Sequence, residues 1–258
     1  MAYELQLVAD AEALQRVAAE RFVRHARAAV QVSGRFTVAL SGGSTPRAMY
    51  ALLALDQAMR GAVPWDKVHV FWGDERHVPP NHADSNYHMA RAQLLSKVPV
   101  PEANVQRIRG EQRDAELIAR QYERTLQACF RLSPGQLPRF DLVLLGLGSD
   151  GHTASLFPGT SALHESWRLV AVNWVEKLQA HRITLTVPVF NNAACVMFLV
   201  AGEDKATALH AVLEGAPGPE KLPAQRIRPR DGELVWLVDR AASRLLTVPR
   251  QQLQKVGA

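Results

Sequence analysis

Four short apolar runs constrain this chain more than any other feature of its sequence. They read RFTVALS, KVHVFWG, FDLVLLG and CVMFLVAG, and they are rich in branched and aromatic residues. Each run is followed by glycine or a polar loop and then by residues with helical periodicity. This alternation predicts a doubly wound α/β fold, with a mainly parallel central sheet and crossover helices.

The same patterns predict the remaining elements. Further strands are expected at residues 3–8, 105–108, 169–175, 182–187 and 234–238. Helices are expected over residues 10–32, 46–59, 86–95, 114–131, 204–213 and 240–246. The segments GQLPRF and EGAPGPEKLPAQ are short enough for loops inside one domain. We therefore expect residues 1–258 to form a single domain.

Composition and charge narrow the class of protein and its partners. With 47% hydrophobic residues, 21% charged residues and a net charge of +5 without charge blocks, the chain is typical of globular proteins. The scattered charge gives little support for a small anionic ligand and less for nucleic acid. The amino terminus lacks a signal-peptide pattern, and no run is long enough to span a bilayer, so we expect a cytoplasmic protein. Monomer and homodimer both remain open.

The first loop with possible chemistry is SGGSTPRAMY, which follows the run RFTVAL. Gly42 and Gly43 allow a sharp turn and close approach of a ligand, while Ser44 and Thr45 supply hydroxyl groups at the start of a predicted helix. Free amides at a helix start form an anion site. A plain strand-to-helix turn with a serine cap is an equally good interpretation.

The second loop, FWGDERHVPPNHADSNY, places Asp74 and Arg76 at a strand end. A guanidinium group suits phosphate, and Asp74 could orient a hydroxyl or a neighbouring cation. The alternative is a surface salt-bridge cluster. In another loop, AGEDKATALHAVLEG, Lys205 lies in the first turn of a predicted helix, where its charge opposes the helix dipole and an anion would relieve it. A solvated lysine is the alternative.

The third loop, GLGSDGHTASLFPGT, carries the strongest catalytic signal. It follows the buried strand FDLVLLG and holds Asp150 and His152 two positions apart in a glycine-rich turn. Histidine titrates nearest to neutral pH, so His152 could take a proton from water and return it later. Asp150 could orient the imidazole ring or bind a substrate hydroxyl.

Other catalytic and metal-binding patterns are missing from the sequence. There is no Gly-x-Ser-x-Gly elbow and no His-Glu-x-x-His or Cys-x-x-Cys pair, so acyl-enzyme chemistry and a metal site find no support. Cys129 and Cys195 are predicted to be buried thiols of a reducing compartment. Seven further histidines are scattered without a ligand pattern and are predicted to be structural: His25, His69, His82, His88, His164, His181 and His210.

Taken together, ALSGGSTPRAMY, FWGDERHVPPNHADSNY and GLGSDGHTASLFPGT closely resemble the 6-phosphogluconolactonase family over nearly the whole chain. The resemblance implies a Rossmann-like three-layer fold and hydrolysis of 6-phospho-D-glucono-1,5-lactone to 6-phospho-D-gluconate, without a cofactor, in the oxidative pentose phosphate pathway. It implies that His152 is the general base, that Arg76 and Lys205 bind the substrate, and that the loop of residues 42–45 lies against it. The expected partner is thus a sugar-phosphate lactone.

Two other functions fit the same type of fold. Glucosamine-6-phosphate deaminases have an Asp-Gly-His loop followed by a segment like HIAFNEP, whose glutamate supports the histidine. Here the matching stretch is HTASLFP, and Phe157 occupies the glutamate's place. The other alternative is a non-catalytic sugar-phosphate-binding module, of the kind found in some transcriptional regulators. Such regulators carry a helix-turn-helix segment, for which we expect no room before the first strand.

Overall fold

The computed structural model describes residues 3–247, so the first two and the last eleven residues of the predicted domain lie outside the described part. Six parallel strands form the main sheet, in the order β1-β9-β8-β5-β2-β3. Three antiparallel strands form a second sheet, in the order β4-β7-β6. The strands are β1 (Glu4–Val8), β2 (Phe36–Leu40), β3 (Val68–Trp72), β4 (Asp74–Arg76), β5 (Leu142–Leu145), β6 (Val170–Val175), β7 (Ala180–Leu185), β8 (Cys195–Val200) and β9 (Glu233–Asp239).

The strand order fixes where a ligand can enter the main sheet. After β2 the chain moves outward to β3 and then returns to β5, which pairs with the other side of β2. Right-handed crossovers in both directions place helices on both faces of the sheet. Ligands of such sheets bind beyond the carboxyl ends of the strands, near this reversal. The predicted α/β fold with a mainly parallel central sheet is confirmed.

The helices cover the sheet with apolar faces. They are α1 (Ala11–Ser33), α2 (Ser44–Leu55), α3 (Gln57–Ala62), α4 (Asn86–Ala90), α5 (Ala115–Phe130), α6 (Val187–Phe190) and α7 (Ala206–Leu213). In α1, Asp10 caps the first turn and Gly34, at φ 75°, ends the last one. Leu14 and Phe22 of this helix are buried in the one hydrophobic cluster that fills the described part of the chain. Within residues 3–247, no helix is both long and apolar enough to cross a membrane.

The second sheet differs from the sequence-based expectation. Residues 74–76 were expected to lie in a loop, but they form β4 and pair with β7 in antiparallel fashion, with Asp74 opposite Thr184 and Arg76 opposite Arg182. Three residues carry too little pattern to indicate a strand, and the partner is about a hundred positions away in the chain. The strand expected at 182–187 runs over Ala180–Leu185, because Val187 already begins α6.

Several predicted helix boundaries were also wrong. The helix expected over 46–59 is two helices, because Asp56 adopts an extended conformation and its carboxylate caps α3 through Ala58 and Met59. The helix expected over 86–95 changes from α4 to a π-helix at Arg91–Leu95. Residues 240–246 form turns rather than a helix. Residues 105–108 contribute a single bridge, between Val105 and Val70, rather than a strand.

Candidate active site

A cavity of about 310 Å³ opens beyond the carboxyl ends of the central strands. Every predicted substrate-binding residue lines it, together with the predicted base. The lining includes Gly42, Gly43, Ser44, Thr45, Asp74, Arg76, His152 and Lys205. Asp150 is the exception, because it lies behind His152 and contacts the ring rather than the cavity. The four loops singled out from the sequence therefore meet in one place.

The glycine turn brings backbone amides to the cavity wall. Gly43 has φ 108°, which favours glycine, and α2 begins directly after it. Ser44 is the first helical residue and not a cap, and no side chain caps this helix. The amides of Ser44 and Thr45 have no hydrogen-bond acceptor among residues 3–247, so they are free to donate to an anion.

Gly42 allows a close contact that fixes the neighbouring loop. A Cβ atom at this position would overlap the side-chain amide of Asn86. Asn86 is buried, and its Nδ2 donates to the main-chain oxygen of Asp74 at 2.9 Å and to Oδ1 of Asp74 at 3.2 Å. The glycine turn and the Asp74 loop are therefore held against each other through one asparagine.

Asp74 and its neighbour Glu75 are buried and fully hydrogen bonded. Ser155 donates to Oδ2 of Asp74 at 2.6 Å. Glu75 accepts from the main-chain amides of Asn86 and Tyr87, both at 2.8 Å, at the start of α4. Burial raises the pKa of Glu75, and these amide donors oppose the rise. No ion pair joins these two carboxylates within the described residues, so the surface salt-bridge interpretation is wrong for Asp74 and Glu75.

Two basic side chains, Arg76 and Lys205, line the cavity. Arg76 donates through Nη1 to the main-chain oxygen of Asp84 at 2.9 Å, while its buried Nε has no partner among residues 3–247. Arg182 lies opposite Arg76 in the register of β7. Burial and the charge of Arg76 both lower the pKa of Arg182. Lys205 also lines the cavity and pairs with Asp204 at 2.9 Å, so it is not simply solvated.

His152 is held by Asp150. One carboxylate oxygen of Asp150 contacts Nδ1 of the imidazole and also accepts the main-chain amide of His152 at 3.1 Å. Since a carboxylate accepts hydrogen bonds, this contact assigns the ring proton to Nδ1 and leaves Nε2 as a lone-pair site. Nε2 has no hydrogen-bond partner among the described residues. His152 therefore presents a basic nitrogen that nothing in residues 3–247 occupies.

Lys177 completes this arrangement from the turn between β6 and β7. Its ammonium group pairs with the second oxygen of Asp150. Burial alone would raise the pKa of Asp150, but hydrogen bonds from Lys177 and His152 hold it far below its usual range. Burial lowers the pKa of His152; contact with Asp150 opposes that effect, and the charge of Lys177 adds to it. The carboxylate is therefore ionised and the imidazole neutral near pH 7.

Phe157 packs on the face of the His152 ring. The two ring centroids lie 4.2 Å apart, and the planes are inclined by 25°. The ammonium of Lys177 lies 4.8 Å from the centroid of the same phenyl ring. A Cβ atom at Gly148 would overlap the imidazole. The position of the His152 ring is therefore restricted by an aromatic neighbour, a glycine and a carboxylate.

Sequence reasoning missed four residues that shape this site: Asn86, Ser155, Lys177 and Arg182. Asn86 and Ser155 lie inside the quoted motifs, so their proximity to the predicted residues was a usable signal. Lys177 and Arg182 follow no motif, and the antiparallel sheet of β4, β7 and β6 brings them next to Asp150 and Arg76. Their roles could not be derived from local patterns.

Comparison with known proteins identifies the family. Residues 9–236 match the model of the glucosamine-6-phosphate isomerases/6-phosphogluconolactonase family. A 6-phosphogluconolactonase from Synechocystis sp. is 47% identical over 214 residues, which are 83% of this chain and 86% of that protein. A 6-phosphogluconolactonase from Rattus norvegicus is 41% identical over 217 residues, 84% of this chain and 82% of that one.

A solved structure gives the same assignment. The 6-phosphogluconolactonase of Trypanosoma brucei superposes with a TM-score of 0.84 at 29% identity, covering 95% of this chain and 99% of the other. The family match, over residues 9–236, extends across the strands and loops that form the cavity. The chain therefore belongs to the glucosamine-6-phosphate isomerases/6-phosphogluconolactonase family, and within it to the 6-phosphogluconolactonases.

Proposed function

We propose that this chain hydrolyses 6-phospho-D-glucono-1,5-lactone to 6-phospho-D-gluconate, with His152 as general base toward water. Curated 6-phosphogluconolactonases at 40–47% identity over most of the chain support this enzyme class. One observation carries the assignment of the base: His152 lines the cavity with Nδ1 engaged by Asp150 and Nε2 unoccupied among the described residues. The reaction belongs to the oxidative pentose phosphate pathway in this proposal.

The phosphate of the substrate binds to the positively charged groups and free amides of the cavity. The guanidinium of Arg76, the ammonium of Lys205 and the amides at the start of α2 all line it. A helix start with free amides favours an anion, and charge-assisted hydrogen bonds are the stronger class. Holding the phosphate there places the lactone ring toward His152, so binding energy from a remote group positions the reacting carbonyl.

Hydrolysis then proceeds by two proton transfers through one imidazole. Nε2 of His152 takes a proton from water as the water oxygen attacks the lactone carbonyl carbon, forming a tetrahedral intermediate. Collapse of this intermediate breaks the bond between the former carbonyl carbon and the ring oxygen, and the imidazolium returns the proton to that oxygen. Asp150 keeps the proton on Nδ1 throughout and stabilises the transient positive charge, as carboxylates beside catalytic histidines do.

The remaining predicted residues position the substrate. Asp74 is buried, and its carboxylate accepts hydrogen bonds from Ser155 and Asn86 at the cavity wall. In this proposal the Asp74 carboxylate also accepts a hydrogen bond from a sugar hydroxyl. Gly42 and Gly43 keep the wall free of side chains, so the backbone can approach the substrate.

Phe157 favours this reaction over deamination of glucosamine-6-phosphate. Its phenyl ring stacks on His152, where the deaminase pattern has a glutamate. A phenyl ring cannot supply the negative charge that would keep an imidazolium available for ring opening. A non-catalytic sugar-phosphate-binding module is the third possibility, and an unoccupied base nitrogen in the cavity disfavours it.

A direct assay tests the proposal. The lactone is generated in situ, and 6-phosphogluconate formation is followed against the spontaneous hydrolysis measured without enzyme. We expect hydrolysis well above the spontaneous rate and no ammonia release from glucosamine-6-phosphate. Ammonia release would instead support a glucosamine-6-phosphate deaminase. Tight binding of 6-phosphogluconate without lactone turnover would support a non-catalytic sugar-phosphate-binding module.

We further propose that residues 1–258 act as one cytoplasmic domain that needs no cofactor or nucleic acid, as a monomer or homodimer. The continuous hydrophobic cluster over the described residues supports the single domain. Size-exclusion chromatography with light scattering distinguishes the two oligomeric states.

A further inference from the structure

Three metal-ligating side chains meet at the end of the main sheet opposite the cavity. His25 comes from α1, Cys195 is the first residue of β8, and Glu233 is the first residue of β9. One nitrogen, the sulfur and one carboxylate oxygen all lie within 4.8 Å of one another. We propose that these three residues form a binding site for a transition-metal ion of the zinc class.

The fold places these three residues on the same side of the sheet. Cys195 and Glu233 are register partners in a parallel pair, so their side chains project from the same face. Helix α1 packs on that face through Phe22 and Ala26, on either side of His25 in the sequence. Three separate elements thus converge on one point, and a bound ion would link the helix to two strands.

The three side chains are not engaged in other bonds within residues 3–247: no hydrogen bond or ion pair involves the imidazole of His25, the thiol of Cys195 or the carboxylate of Glu233 there. The half-buried imidazole and the buried thiol are therefore both available to bind an ion. A metal ion would satisfy all three at once.

The ligand chemistry selects the class of ion. A thiolate and an imidazole favour zinc and its neighbours over magnesium or calcium, and one carboxylate is a common third ligand of zinc. Tetrahedral zinc bonds of about 2.0–2.3 Å imply ligand separations of roughly 3.2–3.7 Å. The three ligand atoms must therefore move closer together when an ion binds, and the exposed side chain of Glu233 can make that movement. Its exposure also leaves a fourth position open to water.

Neighbouring charges are balanced. Arg21 and Arg24 lie near the site on α1, while Glu4 and Asp141 contribute negative charge from the sheet. Arg21 is already paired with Glu4, so its charge is largely offset. Burial raises the pKa of Cys195 to about 12 and lowers that of His25. Zinc binds cysteine as the thiolate, so loading of the site releases the thiol proton to the buffer.

The site lies away from the proposed reaction. Leu199 and Val200, at the other end of β8, line the cavity, which puts Cys195 roughly 13 Å from it along the strand at about 3.3 Å per residue. The inferred ion therefore acts on the attachment of α1 to the sheet and not on the lactone.

Chelator-treated full-length protein tests the site with Zn²⁺ and with Co²⁺ as a spectroscopic probe. We expect one Zn²⁺ per chain by calorimetry, with about one proton released when two buffers of different ionisation enthalpy are compared. Co²⁺ should give a thiolate charge-transfer band in the near ultraviolet. Cys195→Ser should abolish the band and weaken Zn²⁺ binding at least tenfold, while Cys129→Ser, the matched control, should behave as the unaltered protein.

His25→Gln and Glu233→Gln provide tests that do not depend on a buried substitution. Each should weaken Zn²⁺ binding at least tenfold while retaining the circular dichroism of the parent. The proposal is overturned if Zn²⁺ binding does not saturate, if His25→Gln leaves the affinity unchanged, or if the cobalt band survives in Cys195→Ser. It is equally overturned if binding disappears in His152→Ala and not in Cys195→Ser, since the ion would then occupy the cavity.

Discussion

The imidazole of His152 stacks on the phenyl ring of Phe157, with centroids 4.2 Å apart and planes inclined by 25°. The contact covers one face of the ring with apolar surface, and an imidazolium is less well solvated there than in water. Burial accordingly lowers the pKa of His152. A neutral imidazole near pH 7 is the form that accepts a proton, so this stacking favours a base rather than a cation.

Replacing the base should reduce turnover and spare substrate binding. We expect His152→Ala to lower kcat by roughly 10²- to 10⁴-fold, the usual contribution of a positioned general base. KM should change little, because the phosphate is held elsewhere. Turnover is measured by rapid assay with subtraction of spontaneous hydrolysis, and full kcat in the variant would remove His152 from the mechanism.

Lys177 should act on the pH dependence of the reaction. Its charge lowers the pKa of His152 and neutralises Asp150. In Lys177→Met, both effects are lost and the imidazolium is favoured, so the pKa of His152 rises. Because the base must be neutral, the acidic limb of the pH profile of kcat/KM should move to higher pH.

The matched control for that change is Lys177→Arg, which keeps the positive charge beside Asp150. It should leave the acidic limb near its original position. The interpretation fails if Lys177→Met loses activity equally at all pH values, because a loss of that kind would indicate damage to the turn between β6 and β7 rather than an effect on His152.

The adjacent guanidinium groups should determine affinity. Arg76→Ala is expected to raise KM for the lactone by roughly 10- to 100-fold, since hydrogen bonds to charged groups contribute about 1.5–3 kcal/mol. Arg182→Ala should have a smaller effect in the same direction, because Arg182 lies beside Arg76. The control is Arg139→Ala, far from the cavity, whose guanidinium contacts only main-chain oxygens. A drop in kcat with unchanged KM would contradict this assignment.

Local sequence patterns predict some elements of the fold correctly and miss others, for physical reasons. The runs that became β2, β3, β5 and β8 are buried on both faces, so their apolar composition predicts them directly. β4 has three residues and exists because β7 pairs with it. The break at Asp56 depends on a side-chain cap that competes with a continuous helical pattern.

Some contacts of the candidate sites could likewise be predicted from the sequence, and others could not. His152 and Arg76 follow strands, and strand ends in such a sheet meet at one edge, so their proximity could be predicted. Lys177 reaches Asp150 from 27 positions away, through a hairpin of the second sheet. His25, Cys195 and Glu233 come from three distant elements and share no motif. Contacts of this kind depend on the tertiary structure, which local patterns do not specify.

Gly42→Ala tests the packing between the glycine turn and the Asp74 loop. The new methyl group would overlap the amide of Asn86, whose hydrogen bonds fix Asp74. We expect a loss of about 1–3 kcal/mol in the free energy of unfolding, typical of overpacking at a filled position, together with reduced activity. Gly61→Ala, in helix α3 with nothing within 4 Å of the added Cβ, is the matched control and should be neutral or slightly stabilising. Urea denaturation measures the stability of both variants.

A double variant tests whether the overlap with Asn86 causes the loss. If it does, Asn86→Ala in the Gly42→Ala background should recover part of the lost stability. Equal losses in the single and double variants would place the strain elsewhere.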